Sequence, residues 1–425
     1  MPSRRRVLAG GGLGLAGVVG SVRFVERPIP LDHEVESAID WPMPRYDPAG
    51  TGANPDATGP REDPTIRWER DLRDLQGPMP APPTLYGDAV FVVGRSSLYA
   101  LEREDGRIRF ERTGYSYLSS PTVASADAYR SPTLAVRGNE GVLGLSASGG
   151  YALAGRGIGL ERWYGPGEEP PTRTFANPVP PSPVAADGTV YAALPDLDRL
   201  VAVDASSGRL EWSYEPDLVW PGEPNRPAVR DGTVYATFRP DVVAAIDAGT
   251  GDVHWEIELE PAEPEDEHDY RELVAPTATE AGLVVPSRRA VSLLDPADGS
   301  RIWEYEHGGR VTDGSVAVAD GTVFAPDGRD DLHAIDLETG QEVWTTEYGL
   351  DAHPVVAGDV IYLTYSWLDD LIAVDVENGE RLWEREIGAG PSQPIVGDGV
   401  LYFAGHEGVT ALEDGGDGGD GEGGE

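Results

Sequence analysis

The chain contains no cysteine, and this removes disulfides, thiolate metal sites, covalent haem attachment and a lipid-bearing N-terminal cysteine. It contains no lysine either: all 33 basic residues are arginine, so Schiff-base chemistry through a lysine amine is excluded. No uninterrupted apolar run approaches the roughly 20 residues of a transmembrane helix. Walker, Gly-x-Ser-x-Gly and supported Rossmann signatures are missing. The seven histidines include no His-x-x-x-His pair, and His254 and His333 read as structural or surface residues within strands. Positive charge is scarce: 74 acids against 33 bases give a formal net charge of −41 over 425 residues. The acids are spread along the whole chain. Such a surface disfavours nucleic acid and anionic membranes as partners. It suits molar salt, where the Debye length falls to about 3 Å and self-repulsion is screened. The expectation is an extreme halophile.

What the chain has in abundance is a repeat, Ala-x-Asp-x-x-x-Gly-x-x-x-Trp. It occurs with Asp204, Gly208 and Trp212; Asp247, Gly251 and Trp255; Asp295, Gly299 and Trp303; Asp336, Gly340 and Trp344; and Asp375, Gly379 and Trp383. Leu293 replaces the alanine in the third copy. A period of roughly 40–50 residues signals a propeller or solenoid. Around each motif lie short β-branched and aromatic runs separated by turn signals such as Asp187-Gly188, which predicts four short antiparallel strands per repeat. One such sheet cannot bury both faces, and radial stacking solves that problem. The tryptophan, as the largest apolar surface of each unit, is expected to wedge between neighbouring blades. An aspartate recurring at one position in five repeats reads as a turn-former accepting backbone N–H groups, rather than as a catalytic acid or metal ligand.

Two degenerate repeats end at Phe110 and Trp163, the second after an insertion. Residues 394–413 begin a repeat that lacks its tryptophan, whereas Trp68 sits in a strand with no repeat before it. Joining these pieces closes a ring through the two chain ends. The fold class expected is therefore all-β, an eight-bladed β-propeller of four-stranded antiparallel blades, with seven blades as the alternative if the degenerate second repeat is not a blade.

The motif resembles the docking motif of the pyrroloquinoline-quinone (PQQ)-like β-propeller family, also called quinoprotein alcohol dehydrogenase-like. Thr250 and Thr339 match its threonine before the glycine, and Trp41-Pro42-Met43-Pro44-Arg45-Tyr46-Asp47-Pro48-Ala49-Gly50-Thr51-Gly52 resembles its lead-in to the first blade. The resemblance covers residues 41–414 and implies the fold; the family includes both quinone-dependent dehydrogenases and non-catalytic scaffolds. A dehydrogenase of this kind needs calcium held by carboxylate and amide oxygens, an aspartate base and an aromatic floor. Of the few asparagines, only Asn177 and Asn225 precede first strands of blades as plausible amide ligands. The expectation is that no catalytic residue is present and no cofactor is needed, with PQQ and calcium as the alternative.

Residues 1–23 read as a twin-arginine export signal, with Arg4-Arg5-Arg6 ahead of a short Gly-rich apolar stretch. Residues 24–60 read as a Pro/Asp-rich linker that lies over one face of the ring, 61–414 as the propeller, and 415–425 as a disordered Gly/acid tail. Three insertions (146–179, 215–226 and 260–273) carry candidate surface chemistry, including Trp163, Tyr164 and Trp220 as possible polymer-binding aromatics. The function expected is that of an exported, monomeric, non-catalytic scaffold at the cell surface. Its partner would be an unidentified protein or polymer, and membrane proximity would arise at most through an uncleaved N-terminal segment. The alternative is a PQQ- and calcium-dependent alcohol or aldose dehydrogenase.

Overall fold

A computed structural model describes residues 39–415 except 73–74, 76–79, 139–140, 150, 154–155, 159, 167–180, 195–197, 218–221, 260–271, 312–313, 349–351, 365–369 and 389. Asn177, Trp220, the signal and most of the three insertions therefore lie outside the described residues. Among the described residues there is no helix, and none long and apolar enough to cross a membrane. The chain forms eight blades, seven as four-stranded antiparallel sheets and one with a fifth strand. Blade one comprises Thr84–Tyr86, Ala89–Val93, Ser97–Glu102 and Ile108–Thr113. Blades two to seven span 122–165, 184–214, 228–258, 277–306, 317–347 and 355–386. Blade two is a true blade: Glu161–Gly165 pairs with Gly141–Ser146 after a two-stranded insertion, Tyr151–Leu153 with Arg156–Ile158. That settles the count at eight.

The eighth blade closes the ring as the sequence predicts. Pro64–Asp71 pairs antiparallel with Gly408–Asp414, from Pro64 opposite Asp414 to Asp71 opposite Gly408. First strands of consecutive blades contact one another and line the axis, while the tryptophan strands form the outer rim. The Asp-Gly hairpins are built from two residues at positive φ, as in Asp187 (48°) and Gly188 (80°), the geometry that matches the twist of the flanking strands.

The repeat motif explains how blades dock. A bulge in the third-to-fourth strand pairing sets Trp344 opposite Ala334 and Trp212 opposite Ala202, so the small residue makes room for the ring. The ring then crosses to the next blade. Trp303 Nε1 donates to Leu337 O at 2.9 Å, and its ring covers Gly340. A Cβ on Gly340 would lie 2.7 Å from the ring, and its φ is +69°. The same pairing joins Trp163 to Ala205 O and Gly208, and Trp212 to Ala248 O and Gly251. The motif aspartates sit in the turns between. Asp247 Oδ1 accepts Gly249 N at 3.0 Å and Thr250 N at 2.8 Å, and Asp375 Oδ1 accepts Glu377 N at 3.0 Å.

Candidate functional site

The axis of a propeller is where a ligand would meet all blades at once, and here the protein's own N-terminal segment occupies that position. The expectation of a linker over one face is corrected for residues 41–57. Trp41, Met43, Arg45 and Asn54 are buried. Ala53–Asn54 adds a parallel strand to blade seven.

Backbone carbonyls of this segment accept from the innermost strand of one blade after another. Trp41 exchanges two hydrogen bonds with Leu85 of blade one, and Pro42 O accepts Val123 N of blade two at 2.9 Å. Pro48 O, Ala49 O, Thr51 O and Gly52 O accept Val229, Ala278, Val318 and Val356 N–H groups of blades four to seven at 2.8–2.9 Å. Pro44 O accepts Gln393 Nε2 of blade eight at 2.6 Å. Prolines supply carbonyls without presenting N–H groups that would need partners of their own, which suits a run whose carbonyls face inner strands.

Two guanidinium groups are buried in this belt. Arg45 donates to Pro354 O at 3.0 Å and to Val316 O, and Arg226 donates to Asp47 O at 3.1 Å. Burial, reinforced by the neighbouring Arg226, pulls Arg45 down to about 9; burial pulls Arg226 down to about 10. Both remain cationic at neutral pH. Gly52, at φ +65°, lies so close to Arg45 that a Cβ would overlap the guanidinium. Asp47 is committed to its own turn, taking Thr51 N at 3.0 Å and Thr51 Oγ1 at 2.6 Å.

The asparagine singled out as an amide ligand is anchored in the fold through its amide nitrogen. Asn225 Nδ2 donates to Thr237 Oγ1 at 3.0 Å and to Leu273 O at 2.9 Å. Trp163 is not an exposed aromatic but a blade-docking residue, buried with its Nε1 on Ala205 O at 2.8 Å; Tyr164 is exposed. The motif residues Asp204, Asp295 and Asp336 stand at turns of separate blades and do not converge.

Sequence reasoning missed one grouping. Asp327, Asp331 and His333 bring ligand atoms within 4.8 Å of one another in the hairpin joining the second and third strands of blade six. A search for helical His-x-x-x-His spacing overlooks it. On a strand, residues two apart share a face, so Asp331-x-His333 with Asp327 across the turn is the pattern to seek. His307 of blade five stacks on His333 with centroids 6.3 Å apart. Burial, ahead of the neighbouring His333, pushes His307 down to about 4, so its imidazole is neutral at pH 7.

Comparison with known proteins follows this architecture. The family model described as "Outer membrane protein assembly factor BamB" matches residues 61–193, 171–385 and 287–418. Tetrathionate hydrolase of Acidithiobacillus ferrooxidans is 30% identical over 188 residues, covering 44% of this chain and 32% of that enzyme. The chain spans a third or less of the length of the curated relatives it matches. Among solved structures, BamB from Moraxella catarrhalis superposes with a TM-score of 0.61 at 16% identity, covering 82% of this chain and 99% of that one. The quinohemoprotein alcohol dehydrogenase ADHIIG from Pseudomonas putida HK5 superposes with a TM-score of 0.68 at 13% identity, covering 91% and 83%. At these identities the superpositions establish a shared fold.

Proposed function

We propose, from the premise that this chain belongs to the PQQ-like β-propeller family whose model is described as outer membrane protein assembly factor BamB, that it is an exported, non-catalytic binding or assembly scaffold of a halophile's cell surface. The observation that carries this reading is the filled axis. Residues 41–52 hydrogen-bond to the inner strands of six blades and to Gln393 at the entry to the eighth, and bury two guanidinium groups among them. A quinone held by calcium requires carboxylate and amide oxygens converging on a cation. The described residues near the axis do not fit that group. Arg45 and Arg226 repel a divalent cation, and both carboxylate oxygens of Asp47 accept from Thr51. Among the described residues, the one acid–imidazole grouping able to hold a metal lies in the blade-six hairpin, not on an innermost strand.

The remaining support comes from composition. A net charge of −41 keeps the surface hydrated in concentrated salt, and Arg4-Arg5-Arg6 before a short apolar stretch reads as a signal for export of a folded chain.

The test is titration with pyrroloquinoline quinone and CaCl2 in molar KCl, read by tryptophan fluorescence and by dye reduction with alcohols and aldoses. No saturable quenching and no turnover are expected. Saturable binding with turnover would overturn the scaffold reading in favour of a quinone-dependent dehydrogenase. Export is tested separately: replacing Arg4, Arg5 and Arg6 by lysine should leave the folded protein in the cytoplasm.

A further inference from the structure

The hairpin of blade six carries an arrangement that the scaffold reading does not use. His333 is more than nine-tenths buried, and its two ring nitrogens have different surroundings. Nδ1 lies 3.2 Å from Glu342 Oε2, 3.0 Å from Tyr305 Oη and 3.1 Å from Thr345 Oγ1. Nε2 is buried with no hydrogen-bond partner. A carboxylate oxygen facing Nδ1 favours the tautomer that carries its proton there and leaves the lone pair on the partnerless Nε2. A carboxylate on one imidazole nitrogen is the arrangement that orients the other toward a metal and raises its basicity.

Two carboxylates complete the group. Asp327, Asp331 and His333 present ligand atoms within 4.8 Å of one another. A tetrahedral ion with bonds of about 2.0 Å needs ligand atoms about 3.3 Å apart, so only a modest contraction is required. Asp327 is fixed for the purpose: its Oδ1 accepts the N–H groups of Arg329 (2.7 Å), Asp330 (3.0 Å) and Asp331 (3.1 Å). Across the blade boundary, His307 is also more than nine-tenths buried, stacks on His333, and has a partnerless Nδ1. An orphaned imidazole nitrogen on a residue grouped with two carboxylates is unusual beside a blade junction, where buried polar atoms are ordinarily paired.

We propose that Asp327, Asp331 and His333 bind one divalent first-row transition ion, with His333 Nε2 as the nitrogen ligand and Glu342 as its orienting partner. The mixed nitrogen and oxygen donor set selects zinc, manganese, iron(II) or cobalt over calcium and magnesium, which favour all-oxygen shells. The ion cross-links the two sides of the blade-six hairpin in a chain that has no cysteine with which to make such a tie. The site is independent of the scaffold reading and stands or falls separately.

The full-length protein, stripped with a chelator and returned to molar KCl, is titrated with Zn²⁺ by calorimetry and with Co²⁺ by visible absorption. One ion per chain is expected, with Co²⁺ bands that report nitrogen ligation and a Zn²⁺ complex that excess Ca²⁺ does not displace. His333→Gln and Asp331→Asn should each weaken Zn²⁺ by 100-fold or more, and Glu342→Gln by about 10–100-fold. Asp320→Asn, an acid of the same blade outside the cluster, should change nothing. Circular dichroism identifies which variants are folded, and Asp331→Asn serves if His333→Gln does not fold. The proposal is overturned if stoichiometric binding survives in folded His333→Gln or Asp331→Asn, if Ca²⁺ competes equally, or if no stoichiometric ion binds.

Discussion

Two glycines of blade six give a matched test of the docking mechanism. Gly321 and Gly340 both sit at positive φ, +73° and +69°, so alanine at either position incurs the same backbone penalty of about 1–2 kcal/mol. Both substitutions also gain the same small benefit from a less flexible unfolded chain. They differ in what the new methyl meets. At Gly321 nothing lies within 4 Å, whereas at Gly340 the Cβ falls 2.7 Å from Trp303 Cδ2 and 2.8 Å from Cγ. Overpacking of that kind costs about 1–3 kcal/mol. Gly340→Ala should therefore destabilise by about 1–3 kcal/mol more than Gly321→Ala, read as a larger fall in urea midpoint at unchanged m in molar KCl. Combining each with Trp303→Ala completes the cycle: with the ring removed, the excess cost of Gly340→Ala should vanish. Equal midpoint shifts for the two alanines, or an excess that persists without Trp303, would refute the claim that the glycine exists to receive the tryptophan of the preceding blade.

The belt makes a second prediction. Arg45→Met removes the donor to Pro354 O and Val316 O while relieving the burial of a charge, for a net loss of about 2–4 kcal/mol in the same urea assay. A third concerns pH. Asp336 is held below its usual value of 3.8 by hydrogen bonds from the Thr339 hydroxyl and the Thr339 backbone N–H. A depressed folded value means this contribution is complete above about pH 3.8 and is lost as pH falls through the folded value. Asp336→Asn should flatten the acid limb of the stability profile by lowering stability at pH 7, and should leave stability below the folded value little changed. Ring closure gives the fourth. Ending the chain at Glu407 deletes the strand 408–414 that joins 64–71 to 400–404, and should convert one cooperative urea transition into a broader, earlier one with association visible by size exclusion.

Much of the fold was legible because its determinants are local. The Asp-Gly hairpins declare their positive-φ pair in two letters. The Asp-x-x-x-Gly-x-x-x-Trp spacing records a turn capped by Asp247 or Asp336 and a ring that leaves its own blade, and repetition exposes it even where Leu293 or Phe110 departs from the pattern. Closure through Trp68 was readable by elimination, since an unpaired strand at each end has one partner available. The belt was not legible in that way. Trp41-Pro42-Met43-Pro44 has the composition of a linker, and its burial follows only once six inner strands present N–H groups, and Gln393 its side-chain amide, at the radius the segment's carbonyls reach.

The metal grouping was obscured for a related reason. Asp327 and Asp331 look like two more acids among 74, and His333 like one more residue of a strand. What distinguishes them is the relation between blades: Glu342 on the adjoining strand of blade six and Tyr305 of blade five meet at Nδ1 of His333, while His307 of blade five stacks on its ring. The docking motif and this cluster thus both lie against a seam between consecutive blades. At most seams a tryptophan reaches a glycine and a carbonyl of the next blade. At the seam between blades five and six, Trp303 does so at the turn 336–340 and the histidine–aspartate cluster stands beyond it, in the hairpin at the opposite end of the same strand, 331–336. A cation there would restrain the hairpin at the end of that strand which the tryptophan does not reach. That arrangement predicts the direction of its effect: chelation should lower resistance to opening of the blade-six hairpin, seen as faster amide exchange in 322–326 and 331–336, and leave the Trp212–Gly251 seam unchanged.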